Sequence, residues 1–325
     1  MVDEAKADDV KADATNTEGA PVVSVRGFKK TYRVGFFRKK VEAVRGIDFE
    51  VRKGEIFGLL GPNGAGKTTT LKSLLRLSFP SEGTMEIFGL PTSRRESMYR
   101  VGYMPENPYI YQHLKAEEFL DLCGRLTGMS RAKRRTRIAE MIEMVGLGHA
   151  KDRPVGRFSK GMMQRVGIAQ ALLHDPELLI LDEPMSGLDP VGRKEVRELL
   201  LKQRELGKTL IFTSHILSDV EALCDRVAIM RKGKIQARGT VAELSATDGG
   251  VDVVVRGADA ELTVKLAEMG ELKPRPSTLE LTLDDTDDLP AFMRLVMESG
   301  ASVVSVVPHT RSLESLFVGQ DADAA

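Results

Sequence analysis

Gly61-Pro62-Asn63-Gly64-Ala65-Gly66-Lys67-Thr68 constrains this chain more than any other stretch. It follows the apolar run Ile56–Leu60 and precedes a helix-like segment over residues 69–77, so a glycine-rich turn joins a buried strand to a helix. Glycines let backbone N–H groups converge on phosphate oxygens, and the helix that follows adds the positive end of its dipole. In that frame Lys67 reaches the β- and γ-phosphates and the Thr68 hydroxyl ligates Mg²⁺. A loop rich in glycine and asparagine can also simply turn a chain. Its position between strand and helix favours a nucleotide.

A second stretch supplies what the first lacks. Leu178-Leu179-Ile180-Leu181-Asp182-Glu183-Pro184 is an apolar strand that delivers two successive carboxylates to its C-terminal end, where ligands of open α/β sheets collect. Asp182 is placed to hold Mg²⁺, and Glu183 to orient and polarise an attacking water as general base. The third stretch is Phe158-Ser159-Lys160-Gly161-Met162-Met163-Gln164-Arg165, which opens a helix. Ser159 is an ordinary N-cap there, and the same geometry offers an anion a hydroxyl, free N–H groups and a helix dipole. The residues alone do not choose between the two.

The rest of the pattern is that of a two-domain α/β protein of 325 residues. Residues 1–21 are charged and carry almost nothing to bury, which reads as a disordered acidic tail. Short strands follow at 22–25, 30–34 and 41–44, with a turn around Gly27, and Ile47, Phe49 and Val51 alternate with Asp48 and Glu50 as a half-buried strand. Phe36-Phe37-Arg38-Lys39-Lys40 reads as a solvated hairpin. Apolar residues recur at helical spacing in Phe119, Leu122, Cys123 and Leu126 and again in Ile138, Met141, Ile142 and Val145. Ser130 caps the second of these helices and Gly146 stops it, while Arg131, Lys133, Arg134, Arg135 and Arg137 read as a solvated face. Apolar runs at Leu178–Leu181 and residues 210–212 mark parallel strands covered on both sides, and a helix over 191–206 pairs Glu198 with Lys202. After a linker near 245–250, the order strand, helix, strand, strand, helix, strand reads as a small ferredoxin-like α+β domain, followed by an amphipathic piece at 313–317.

Composition excludes several classes. Formal net charge is zero, so no global basic field attracts nucleic acid. Two cysteines, Cys123 and Cys224, form neither a disulfide framework nor a metal motif and suit a reducing cytoplasm. No apolar run approaches the roughly 20 residues that span a bilayer. The expected location is therefore cytoplasmic, with membrane contact only through a partner.

Taken together, these motifs give a resemblance to the nucleotide-binding subunits of ATP-binding cassette transporters over about residues 22–244. The loop from Gly61 through Thr68 and Thr69 is similar to the family's phosphate loop, Asp182-Glu183 to its Walker B end, Ser186-Gly187-Leu188-Asp189 to its D-loop, and Thr213-Ser214-His215 to its switch histidine. Tyr32 stands where the family stacks an aromatic ring on adenine. The resemblance implies a P-loop NTPase cassette with an antiparallel β subdomain and a helical subdomain over 22–245, and an accessory domain over 246–325. It further implies that two copies pair head to tail, so that Ser159 and Gly161 complete the ATP site of the opposite copy with Asp189 nearby, and that His215 contacts the γ-phosphate. Two departures stand out. Phe158-Ser159-Lys160-Gly161-Met162 replaces the usual LSGGQ, and Glu106 replaces the Q-loop glutamine, giving a candidate metal ligand beside Thr68 and Asp182 but one that cannot donate as an amide does.

The resemblance thus implies an Mg-dependent ATPase that drives a separate transmembrane permease, and the single cassette, the Pro105-Glu106-Asn107 variant and the C-terminal segment Ser312-Leu313-Glu314-Ser315-Leu316-Phe317 look like exporters of the ABC-2 type. The alternative is a soluble cassette ATPase acting on nucleic acid or ribosomes. Those usually carry two cassettes or a long coiled-coil insertion, and this sequence has neither. A non-catalytic regulator would not need Glu183 and His215.

Overall fold

In the computed structural model, the residues described are 20–35, 39–244 and 247–310. The expected tail up to residue 19, residues 36–38 of the Phe36 to Lys40 loop and the 313–317 piece lie outside them. The chain divides into two units, 1–241 and 242–325.

The first unit begins with β1 (Val23–Val34) and β2 (Lys39–Val51), paired antiparallel. Each is one continuous strand where the sequence suggested two. Gly27 does not turn the chain; it adopts φ 56° within a register shift, and its N–H donates to Asp48 Oδ1 at 2.7 Å. A bulge absorbs the irregularity and the strand continues. Then come β3 (Ile56–Leu60), α1 (Lys67–Leu74), β4 (Glu82–Ile87), β5 (Leu90–Pro91) and β6 (Val101–Met104). The helical stretch contains α2 (Ala116–Leu126), α3 (Arg131–Met144) and α4 (Lys160–Leu172). It returns to the sheet through β7 (Leu178–Leu181), α5 (Pro190–Glu205), β8 (Thr209–Ser214), α6 (Leu217–Leu223), β9 (Arg226–Arg231) and β10 (Lys234–Thr240).

These strands form an antiparallel sheet in the order β2-β1-β4-β5 and a six-stranded sheet in the order β10-β9-β3-β8-β7-β6. Only β10 runs antiparallel in the second. Every residue of β3, β7 and β8 is buried, as expected for parallel strands covered on both faces. Phe49 of β2 and Phe57 of β3 stack with centroids 5.4 Å apart, joining the two sheets through one core. Register sets the function of this unit. Leu60 lies opposite Ser214, and Leu181 opposite Phe212, so β3, β7 and β8 end at one edge of the sheet.

The helical stretch corrects two expectations. On α2 the buried face runs through Ala116, Phe119, Leu120 and Gly124, whereas Leu126 is 80% exposed and Cys123 only half-buried. The stripe is rotated toward Gly124, over which Arg134 packs directly. Second, the arginines of α3 are not all solvated. Arg134 is 8% exposed, pairs with Asp121 and donates to the Met129 carbonyl at 2.9 Å. Arg137 donates to the Leu172 and Leu173 carbonyls at the end of α4. Burial of a guanidinium is tolerated where its donors are satisfied in this way. Arg131, Lys133 and Arg135 remain exposed as expected. Ser130 caps α3 through the Lys133 N–H, Gly146 ends it at φ 66°, and Ile138, Met141, Ile142 and Val145 are buried. On α5, Glu198 pairs with Lys194 at 3.8 Å rather than with Lys202.

The Arg134 hydrogen bond, aided by Arg125, holds the Asp121 carboxyl below the usual range despite opposing desolvation. A depressed carboxylate stabilises the fold above its unfolded value, and that contribution disappears as pH falls through its folded value. Asp121→Asn is therefore expected to lower the thermal midpoint near neutral pH and to shrink the difference from the parent as pH falls below about 4, checked by melts across pH.

In the second unit, α7 (Val241–Leu244) precedes β11 (Thr247–Arg256), α8 (Ala260–Ala267), β12 (Glu271–Pro274), β13 (Leu279–Leu283), α9 (Leu289–Ser299) and β14 (Ser302–Thr310). Of the linker expected at 245–250, residues 247–250 belong to β11, and 245–246 lie outside the described residues. The sheet order is β12-β13-β11-β14, antiparallel throughout. Val251, Val253 and Val255 on one face of β11 pack with Leu262 and Leu266 of α8 and Phe292 and Val296 of α9.

Candidate active site

The turn from β3 into α1 is held from within. Gly61 N–H donates to the Ser214 carbonyl and Ala65 N–H to that of Pro62, while Asn63 and Gly64 face outward. Gly66 takes φ 106°, and a Cβ there would meet the Ala43 carbonyl at 2.8 Å, so the turn requires glycine on two counts. Its successor Lys67 opens the helix and is only 5% exposed. The ammonium donates to the Gly61 carbonyl at 2.6 Å and to that of Pro62 at 3.4 Å, and pairs with Glu183 Oε1 at 3.2 Å. Thr70 bonds back to Gly66, and no acidic residue occupies the first turn of α1, so the carboxylates at its positive end come from another strand.

At the neighbouring strand ends, one hydroxyl organises the carboxylates. Thr213 Oγ1 donates to Asp182 Oδ1 at 2.7 Å and accepts the Glu183 N–H at 2.8 Å. Thr68 Oγ1 donates to the same Asp182 oxygen at 3.1 Å. Glu183, 7% exposed, has φ 49°, a conformation costly to a residue with a side chain and sustained here by the Thr213 bond. Its second oxygen lies 2.8 Å from His215 Nδ1. A carboxylate only accepts, so Nδ1 carries the hydrogen and Nε2 is left free. Burial pushes the Asp182 carboxyl above its ordinary value and Glu183 adds to this, against the bonds from Thr213 and Thr68 and the charge of Lys67. Tyr103 on β6 is pushed up to about 12 by burial and then by Asp182. Thr213 did not stand out as a site residue in the sequence: it is a common strand former, and only the side-by-side ends of β7 and β8 give it a role.

The remaining candidates fall into other neighbourhoods. Ser159 caps α4, its Oγ accepting the Met162 N–H, and remains exposed. Leu188 lies against Gly161, and Asp189 caps α5 through the Gly192 N–H at 2.9 Å. Among the described residues no hydrogen bond or ion pair joins Ser159, Gly161 or Asp189 to Lys67, Asp182 or Glu183. Tyr32 sits on β1 with the Lys30 ammonium 4.9 Å from its ring centroid and its hydroxyl 3.5 Å from Ser78 Oγ. Glu106 is exposed; its backbone carbonyl accepts a bond from Gln164 Nε2 at 3.2 Å. Among the described residues no three Asp, Glu, His or Cys side chains gather in a metal-holding group, so Glu106 does not form a cluster with Asp182 and Glu183. What converges at the strand ends is a lysine, two carboxylates, two threonine hydroxyls and a histidine, a set able to hold a phosphate chain and to take a proton from water beside it.

Comparison with known proteins agrees with this geometry. The family model described as ABC transporter matches residues 44–186. An ABC transporter ATP-binding protein of Nostoc sp. is 42% identical over 308 residues, covering 94% of this chain and 91% of the relative. The Nod factor export ATP-binding protein I of Ralstonia nicotianae is 36% identical over 304 residues, covering 92% and 93%. Among solved structures, the ATP-binding cassette MJ0796, a dimer in a post-hydrolysis state with ADP and phosphate, aligns with a TM-score of 0.62 at 26% identity, covering 67% of this chain and 98% of that one. The chain belongs to the ATP-binding subunits of ABC transporters, and its activity is ATP hydrolysis.

Proposed function

We propose that this chain works as one of a pair of Mg-dependent ATPase subunits that drive export through a separate membrane permease of the ABC-2 type. The observation that carries the reading is the Glu183 carboxylate, nearly buried and held between the Lys67 ammonium and His215 Nδ1. Phosphate oxygens compete for the Lys67 ammonium, while the N–H groups of Lys67, Thr68 and Thr69 in the first turn of α1 supply further donors. Glu183 then accepts a proton from the water that attacks the γ-phosphorus, and His215 keeps the carboxylate aimed. Magnesium fits the residues present: Thr68 and Asp182 meet at one oxygen, and a carboxyl pushed up by burial is one that a cation would return to its charged form. When bound, the ion would be held by Thr68 and Asp182 and would neutralise charge on the phosphates.

Ser159 and Gly161 serve the ATP held by the other copy, and Tyr32 stacks on adenine. The antiparallel unit after α7 is assigned as a ferredoxin-like α+β domain, its strand order and alternation being those of that fold. Export is supported by the Nod factor relative. No described helix is long and apolar enough to cross a membrane, so attachment to the inner face of the cell membrane falls to the permease.

The test has two arms. The purified chain is expected to hydrolyse ATP only with a divalent cation and to lose all turnover in EDTA. Tagged protein recovered from detergent-solubilised membranes of its host is expected to bring down one polytopic membrane protein, and co-reconstitution with that protein to raise the ATPase rate. Recovery with ribosomes or RNA instead, and no stimulation by a membrane protein, would favour the soluble class.

A further inference from the structure

Outside the cluster around Lys67 lies another buried carboxylate, Asp219, 2% exposed in the first turn of α6, which starts two residues after His215. Two arginines one helical turn apart on α5 face it. The nearest nitrogen of Arg193 is 4.0 Å from the carboxylate and that of Arg197 is 3.9 Å. These are ion-pair separations, about 1 Å longer than a charge-assisted hydrogen bond. Arg193 Nε is engaged elsewhere, donating to the Leu188 carbonyl at 3.3 Å, and Arg197 Nε is buried with no acceptor. The carboxylate is buried while both arginine side chains are partly exposed, at 28% and 33%, and neither guanidinium has closed to hydrogen-bond distance.

Arg193 thereby touches the loop 186–189 that ends in the Asp189 cap. That loop is seated on the start of α4 as well. Gly187 has φ 67°, and a Cβ there would stand 2.4 Å from Lys160 Nζ and 3.0 Å from Lys160 Cε, so the lysine stem lies directly over the glycine. Any pressure on Lys160, Gly187 or Leu188 therefore reaches Arg193. On its other side, the Asp219 carboxyl is raised first by burial and lowered by the two guanidiniums, and both Glu183 and His215 are near enough to contribute. Asp219 thus faces Arg193 on one side, and the helix that carries it begins two residues after His215.

We propose that Arg193 and Asp219 are positioning residues that couple the 186–189 loop to His215. A second copy closing on the loop moves the Leu188 carbonyl and the guanidinium bound to it; the guanidinium closes on Asp219, fixes the start of α6 and holds His215 on Glu183. The inference rests on the reading of the chain as a paired ATPase and adds the path by which pairing reaches the general base.

The test uses the full chain with Asp219→Asn, Arg193→Gln, their double variant and Arg193→Lys. Each single change is expected to lower kcat about ten- to a hundredfold, since a misplacement of 1 Å is enough for such losses. KM for ATP, ATP binding and the thermal midpoint are expected to stay close to the parent. The double variant should lose no more than either single one, because the two act in series. Arg193→Lys should behave like Arg193→Gln, since an ammonium cannot bind the Leu188 carbonyl and close on Asp219 with the same fork. Unchanged kcat, additive losses, rescue by lysine, or losses that track a lowered melting point would each overturn the proposal. Should Asp219→Asn fail to fold, the partly exposed Arg193 variants carry the test. Parent protein without Glu183-dependent turnover takes down the paired-ATPase reading and this inference together; a normal parent with fully active variants takes down this inference alone.

Discussion

Glu183→Gln is expected to reduce ATP turnover by a factor of about 10² to 10⁴, the range supplied by a positioned general base, while ATP binding persists. The amide keeps the shape of the side chain and can still meet His215, but it takes no proton from water. Two features of the site make binding survive. Removing one of two adjacent carboxylates relieves repulsion between Asp182 and Glu183, and it frees the Lys67 ammonium from an ion partner at 3.2 Å. ATP affinity should therefore equal or exceed that of the parent, and the variant should accumulate as an ATP-bound dimer on size-exclusion chromatography. Phosphate release, nucleotide titration and molar mass with and without ATP check the three parts. Turnover equal to the parent would remove Glu183 from the mechanism.

Ser159→Arg should have an effect of similar size by a different route. Ser159 has no hydrogen bond or ion pair to the Lys67 cluster among the described residues, so nucleotide binding by the monomer is expected to be unaltered, whereas ATP-driven pairing and turnover should fall by at least about a hundredfold. Loss of the N-cap alone costs about 1 kcal/mol and would leave pairing largely intact. Ser159→Asp separates the two contributions. Aspartate caps a helix as well as serine does, but it places a negative charge where the partner's phosphate must come. If Ser159→Asp pairs normally, the serine is only a cap; if it too stays monomeric with ATP, the start of α4 is the half-site. Analytical ultracentrifugation with ATP and a melting curve for each variant decide the matter.

Much of this was legible in the residues, and the misses share a cause. The phosphate loop and the Asp182-Glu183 pair could be read because each motif is contiguous and its chemistry follows from residue type, whereas His215 stood out only through the family resemblance. The parallel strands declared themselves by unbroken apolar runs, and their common edge follows from register. Arg134 and Arg137 were misread because periodicity along α3 says which residues share a face, not that a carboxylate on α2 or the bare carbonyls ending α4 wait opposite. Leu126 failed for the converse reason: the face of α2 that packs includes Gly124, where Arg134 lies directly over the missing side chain, and apolar spacing alone does not show that. Gly27 read as a turn because a local pattern cannot reveal that Asp48, on the next strand, receives its N–H. Thr213 is the clearest case among the candidates. Nothing local distinguishes it from any strand threonine, yet it fixes both carboxylates of the site.

The Arg137 bonds to the last carbonyls of α4 bear on the other end of that helix. A free helix carries roughly half a charge of each sign at its ends, and from a distance the two largely cancel. The guanidinium fixed on those carbonyls is also paired with Glu140 at 2.6 Å, so it satisfies the last acceptors of α4 without adding net charge at that end, about 20 Å along the axis from Ser159. What the bonds supply is a fixed axis: the end of the helix that presents Ser159 is oriented by a side chain on a neighbouring helix.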